Sequence, residues 1–235
     1  MGSNVPHKGI IKAGRLSPVV FGSFPIKSAM AGLGGDMVHL RLQDGKDITG
    51  SSLESAGTAS VSSEDILLTS GTSATNVAAL ASVLKMDIRG RFALECKLRV
   101  DSVDNSVAGT FIGFSSSRTA PIADADGVLA ILASSLGVFI DRANGDLLQI
   151  AVRNDTDVAV LTSTGKALVV DNDYKIGLLG KGDGKVSLFL DDVLLKKVSI
   201  AGNIDPAYAV ACIVNQSAAA RTLKLGPFFA AGVVD

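Results

Sequence analysis

"KVSLFLDDVLLKKVSI", residues 185–200, is the stretch whose reading decides the fold. Val186, Leu188 and Leu190 recur with a period of two, which is the period of a strand with one buried face. Apolar character resumes at Val193, Leu195 and Ile200, after two adjacent aspartates. Two strands separated by two residues make a hairpin. Asp191 and Asp192 then take the two central turn positions, where a short polar side chain tolerates the left-handed region. The competing reading is a carboxylate pair doing acid–base chemistry. Side by side on exposed positions, however, the two charges are screened, and neither is forced to become a perturbed acid.

The same period appears upstream in "FALECKLRV", residues 92–100. Phe92, Leu94, Cys96, Leu98 and Val100 point one way, and Ala93, Glu95, Lys97 and Arg99 the other, which predicts a core face and a wet face. Further short apolar runs follow at intervals of roughly 8–12 residues, separated by Gly, Asn, Asp and Ser, as in antiparallel sandwiches and barrels. They are "MVHLRL", "AGTFIGF", "GVLAIL", "LGVFI", "LLQIAV", "VAVLT", "YKIGLL", "YAVACIV" and "TLKLGPFF". That many strands without long helices between them require two sheets. The expectation is an all-β, two-sheet antiparallel jelly-roll sandwich over residues 36–235. One segment departs from it: "ATNVAALASVL" places Val77, Leu80, Ala81 and Leu84 at helical spacing, which predicts one short helix capped by Ser73 or Thr75.

Residues 1–35 carry Pro6, Pro18 and Pro25 among many glycines and show no sustained period, so they read as an extended N-terminal arm. The arm also holds Val19, Val20, Phe21, Phe24 and Ile26, large apolar side chains that disordered linkers usually lack. These are the candidate partner-binding residues, with packing of the arm along its own domain as the alternative.

Composition narrows the function classes. The net charge is −1 with 19% charged residues, so no basic field draws in nucleic acid. No run of about 18 apolar residues predicts a membrane span, and the N-terminus lacks a signal-peptide core. The mean hydropathy of +0.39 is high for a free monomer and suggests apolar surface covered by partner subunits. Cys96 and Cys212, both inside apolar runs, read as small hydrophobes, with a disulfide as the alternative.

Chemistry has little material. Glycoside hydrolysis needs paired carboxyls, but the chain's three glutamates, Glu54, Glu64 and Glu95, fall on separate strands. His7 and His39 are the only histidines, too few for a histidine metal site or a triad. "STGK", residues 163–166, fits Ser-x-x-Lys without companion motifs, and "GKGDGK", residues 180–185, leads into a strand, unlike a P-loop. Alternating aspartates at 124/126, 155/157 and 171/173 read as loop residues. Asp124 and Asp126 are the weak candidates for Ca²⁺, a hard ion that takes loop oxygens. A sugar-binding face would use an aromatic ring with polar loop groups; only Tyr174 and Tyr208 are on offer, with no Trp.

Tyr174, Gly182, Asp183, Gly184, Val186, Leu188, Phe189, Leu190 and Asp191 resemble the late hairpin of the laminin-G-like members of the concanavalin A-like jelly rolls. Asp192 departs from that pattern, which has glycine there. "FALECKLRVDSV" and "FIGFSSS" resemble earlier strands of the family, so the likeness spans roughly residues 90–230. With "YAVACIVNQSAAARTLKLGPFFAAG", residues 208–232, the layout resembles structural proteins of tailed bacteriophages. That resemblance implies a non-enzymatic virion component on the capsid surface, a decoration or cement protein. Its partners would be the major capsid protein and copies of itself in a homo-oligomer such as a trimer. The alternative is a glycan-binding module of a tail or fibre, and a third reading is a cellular laminin-G-like domain.

Overall fold

The computed structural model describes residues 66–234 except 72–76, 101–107, 120, 126–127, 142–144, 156–157, 201, 203 and 216–221; upstream it describes only the strand backbones at 11–12, 15–16, 37–42, 51–55 and 58–61. All regular structure among the described residues is β.

β1 (Ile11–Lys12) and β2 (Arg15–Leu16) form a small ladder of their own. This ladder lies within the stretch expected to be an arm, and Val19, Val20, Phe21, Phe24 and Ile26 lie outside the described residues. Next come β3 (Met37–Leu42), β4 (Ser51–Ser55), β5 (Thr58–Val61) and β6 (Ile66–Thr69). β7 runs over Val77–Val100. β8 (Ala108–Ser115), β9 (Ile122–Ala125), β10 (Val128–Ile131), β11 (Ser135–Asp141) and β12 (Leu147–Arg153) follow. β13 (Val160–Ala167), β14 (Tyr174–Lys181), β15 (Lys185–Leu190), β16 (Val193–Ser199), β17 (Ala207–Asn215) and β18 (Thr222–Val234) complete the chain.

β7 corrects the sequence reading, because the predicted helix is the first half of this 24-residue strand. Ala78 and Leu80 face the main core, while Ala79 and Ala81 belong to a second apolar cluster on the opposite face. A strand buried on both faces reads as a continuous apolar run, and short apolar runs do not distinguish helix from strand by periodicity. Tertiary pairing decides: this half is bonded to β17 on one side and β4 on the other.

The same strand builds both sheets. Its first half pairs with β17 and its second half with β14 and β18. The partners change between Met86 and Arg91. At this corner Asp87 Oδ1 accepts from the backbone N and the Nε of Arg89, each at 2.9 Å. One layer is therefore β13-β12-β11-β8-β17 with the first half of β7 and β4. The other is β16-β15-β14 with the second half of β7 and β18, which also carries β3 and β6. Every pairing is antiparallel.

Between the layers, Ile112, Phe114, Val138, Ile150 and Ala211 of the first meet Phe92, Leu94, Ile176, Leu188 and Phe228 of the second. Phe92 and Phe114 meet edge to face across the gap, centroids 5.2 Å apart. Each large side chain fully buried here contributes about 1.5–3 kcal/mol.

The outer face of the first layer is apolar as well. Phe111, Phe139, Ala151, Val210 and Cys212 form a second cluster with Ile122 and Ile131, from the base of the β9–β10 hairpin. Gly113 and Gly137 sit opposite each other on this face. A Cβ on Gly113 would lie 2.4 Å from Gly137 Cα, so only glycine lets these backbones lie as they do. Cys96 belongs to the main core and Cys212 to the outer cluster, and both are free thiols, which excludes the alternative disulfide.

Candidate functional site

The outer face of the first layer changes character at one end. Strand registers set Arg153 opposite Ser135, Ser135 opposite Ser115, Ser115 opposite Tyr208, and Tyr208 opposite Lys85. Directly opposed residues share a face. Five polar side chains from β12, β11, β8, β17 and β7 thus form one line across the sheet. The neighbouring register positions hold Ala151, Gly137, Gly113 and Val210, which carry no polar group.

This line is held from both sides. Ser115 and Ser135 are fully buried, their hydroxyls hydrogen-bonded at 3.0 Å, and Ser117 N donates to Ser115 Oγ at 3.2 Å. Arg153 Nη1 donates to the carbonyl of Ile131, fixing the row to the base of the β9–β10 hairpin. At the other end, Lys85 Nζ and Arg118 Cζ each stand 5.4 Å from the centroid of the Tyr208 ring, within cation–π range.

Loop residues close over the same end. Ser116 N donates to the Ser134 carbonyl at 2.9 Å, and Asp205 N donates to Ser134 Oγ at 3.4 Å. Asp155 hydrogen-bonds Asp205. That bond, followed by slight desolvation and mutual repulsion, holds the Asp155 carboxyl above its ordinary value against the opposing charge of Arg153. The result is a half-buried aromatic ring, hydroxyls, cations and carboxyls gathered on a rigid sheet end. Such a surface offers a polar ligand hydrogen-bonding groups beside an aromatic ring.

Tyr208 was visible in the sequence as an aromatic candidate, but its setting was not. The signal was the register: Arg153, Ser115 and Lys85 lie far apart in the chain and meet only through strand pairing. The other candidates resolve differently. Asp124 lies on β9, opposite Leu129, and not in the loop the sequence suggested, since the hairpin extends through it. Asp126 lies outside the described residues. Among the described residues no three metal-binding side chains converge. "STGK" is an exposed stretch of β13 in which Gly165 has φ 74°, and Gly165 N donates to Ser163 Oγ at 3.0 Å. "GKGDGK" is the β14–β15 turn, with Gly182 and Gly184 at positive φ and Asp183 held by Lys197 Nζ at 3.0 Å.

Asp191 and Asp192 form the β15–β16 turn as expected, with φ 49° and 67°. They also do more. Asp191 Oδ1 accepts from Lys175 N at 2.9 Å, and Asp192 Oδ1 accepts from Lys175 Nζ at 2.7 Å. The same Nζ lies 2.6 Å from Glu95 Oε1. Glu95 is only 2% exposed, and Ala93 is equally buried, so this part of the face predicted to be wet is dry. A lysine between Glu95 and Asp192 makes a structural ion-pair chain, not a pair of carboxyls sharing a proton.

No protein-family model matches the chain, and no curated protein matches its sequence. Solved structures do match its fold. The carbohydrate recognition domain of Emp47p superposes with a TM-score of 0.60 at 13% identity, covering 83% of this chain and 96% of that one. The VIP36 exoplasmic/lumenal domain in its Ca²⁺/Man3GlcNAc-bound form gives 0.59 at 10%, covering 83% and 88%. The legume lectin-like domain from Entamoeba histolytica gives 0.57 at 13%, covering 80% and 92%. At such identities the likeness shows the fold alone: a two-sheet antiparallel jelly-roll sandwich, the fold these neighbours share.

Proposed function

We propose that the protein is a non-catalytic binding module whose ligand is a saccharide, held at the sheet end around Tyr208. The carrying observation is the polar row across the end of this face, which has apolar neighbours at Ala151, Gly137, Gly113 and Val210 and includes a half-buried tyrosine. Sugars are bound by such a combination: a ring for the C–H face and fixed donors and acceptors for the hydroxyls. Support comes from the fold, which is shared with carbohydrate recognition domains. The reading requires no metal. A glycan array tests it: saccharide-dependent signal that disappears in Tyr208→Ala is expected, and a blank array would overturn it.

A second reading, a self-assembling structural subunit, has a different observation behind it. β13 and β16 end the two sheets on the same side. Val158, just before β13, and Val160, Val193 and Leu194 on these strands are 87%, 57%, 62% and 53% exposed. Between them opens a pocket of about 70 Å³ lined by Val152, Val158, Val160 and Val198. An apolar edge of this kind suits contact with another copy. The capsid as a further partner, and the virion as its location, rest on the sequence resemblance alone. Sedimentation velocity tests the assembly: a trimer or dimer that Val160→Lys dissociates is expected, and a monomer at high concentration would overturn it.

A further inference from the structure

We infer that residues 17–26, the apolar stretch of the N-terminal arm, dock as one extended chain across the outer face of the second layer, against Ala93, Leu179 and Phe189 of the same molecule. The inference is independent of the saccharide reading and gives the arm a docking surface.

The second layer carries a dry band on the face turned away from the main core. Registers set Ala231 opposite Ala93, Ala93 opposite Leu179 and Leu179 opposite Ser187, a row running from β18 to β15. The next row on that face sets Glu95 opposite Gly177 and Gly177 opposite Phe189. Ala231, Ala93, Leu179 and Glu95 are no more than 2% exposed, and Ser187 and Phe189 are 9% exposed. None of them belongs to the main core or to the cluster on the first layer. The rows on either side are wet: Arg91 and Lys181 flank the band on one side and Lys97 on the other, all exposed. A single chain buries these residues, so the cover comes from the same molecule.

The shape of the band selects what covers it. Two rows on one face lie about 7 Å apart along the strands, and four strands span about 14 Å. A strip that narrow fits one extended chain crossing the strands, whereas a further sheet or a second copy would dry the flanking rows too. Residues 17–26, "SPVVFGSFPI", carry no charge and hold Val19, Val20, Phe21, Phe24 and Ile26. Pro18 and Pro25 suit them to an extended path packed by side chains and not by a ladder. Residues 43–50 and 101–107 lack aromatic rings and hold Asp44, Asp47, Asp101 and Asp104, which buried Glu95 would repel. The reach is sufficient. β3 begins at Met37 and is bonded to β18, where the band starts. Residues 27–36 extend up to about 33 Å, against about 19 Å for the four strand spacings from β3 to β15.

Thiol labelling of the full chain tests this. Ser187→Cys, a nearly isosteric change inside the band, should label at least about tenfold more slowly than Ser199→Cys, on an exposed position of β16. Cys96 and Cys212 are buried and contribute no signal while the fold holds. Replacing Val19, Val20, Phe21, Phe24 and Ile26 together by serine should bring Ser187→Cys to within about twofold of Ser199→Cys, with an unchanged circular dichroism spectrum. Protection that persists in the folded serine variant, or rapid labelling of Ser187→Cys beside the intact arm, would overturn the inference. Protection lost on dilution, in step with dissociation in sedimentation, would put the arm on a second copy and overturn the assignment to the same molecule. Benzoylphenylalanine in place of Phe24 keeps the test decisive where the serine variant does not fold. Photocrosslinks within the monomer to β7, β14 or β15 are expected, and crosslinks elsewhere or none would contradict the docking.

Discussion

Asp192 shows how one residue carries two opposing effects. Its φ of 67° is a position where glycine is better tolerated, and an L-residue in the left-handed region costs about 1–2 kcal/mol. Yet its carboxylate also holds Lys175, a partly exposed pair worth about 0.2–1 kcal/mol. Asp192→Gly should therefore shift stability by less than about 1 kcal/mol, a near cancellation that urea denaturation would register. Lys175 itself is another matter, because Glu95 behind it is buried. Lys175→Met should cost about 3 kcal/mol or more by stranding that carboxylate. The double variant Glu95→Leu/Lys175→Met should regain much of the loss, and a double-mutant cycle without coupling would contradict the account. Sequence alone showed the turn at Asp191 and Asp192, since both neighbouring strands alternate. It hid the ion-pair chain, because Glu95 sits on the face that alternation marks as wet, and what covers a sheet face is set by tertiary structure.

Surface aspartates also set the acid response. Asp87 and Asp173 are held below the ordinary carboxylate value, chiefly by hydrogen bonds from Arg89 and Arg99 respectively. A depressed folded-state value adds stability above the unfolded value of 3.8 that is lost as pH falls through the folded one. Unfolding midpoints should thus decline below about pH 4, and Asp87→Asn/Asp173→Asn should flatten that decline. Asp155, raised by its bond to Asp205, works in the opposite sense and is favoured towards acid.

At the scale of elements, β7 organises the molecule. Its alternating second half was legible because every second residue from Arg91 to Arg99 is charged except Ala93. Its first half was not, because alanines on both faces erase the period of two. The consequence is mechanical: one strand ties the site-bearing layer, through Lys85, to the layer that carries the hairpin. Phe92 and Phe114 join the layers at the centre, and truncating Phe114, which is fully buried, to alanine should cost about 3–5 kcal/mol in equilibrium denaturation. Gly113→Ala should be destabilising as well, by about 1–3 kcal/mol, since the added carbon meets the Gly137 backbone and not a flexible side chain. Its loss should be accompanied by weaker ligand binding, because Ser115 and Ser135 of the polar row lie two residues from these glycines.

At the scale of the molecule, strand patterning pointed to the two main sheet layers; among the described residues they enclose one apolar cluster and carry a second on the outer face of one layer, and both cysteines are free thiols. Burial pushes the Cys96 thiol up to about 12, and Cys212 is raised as well. Both should resist thiol reagents near neutral pH until the fold opens, which makes their labelling rate a gauge of global unfolding. The jelly roll was legible in sequence, whereas the site was not: its residues come from five strands, and no local motif joins them. Ligand binding at that row is the central claim. The most direct test is a titration of the wild type and Tyr208→Ala with an array-identified saccharide, with circular dichroism to confirm that both are folded. The account predicts saturable binding by the wild type and at least about tenfold weaker binding by the variant; equal affinity in the two folded proteins would contradict it.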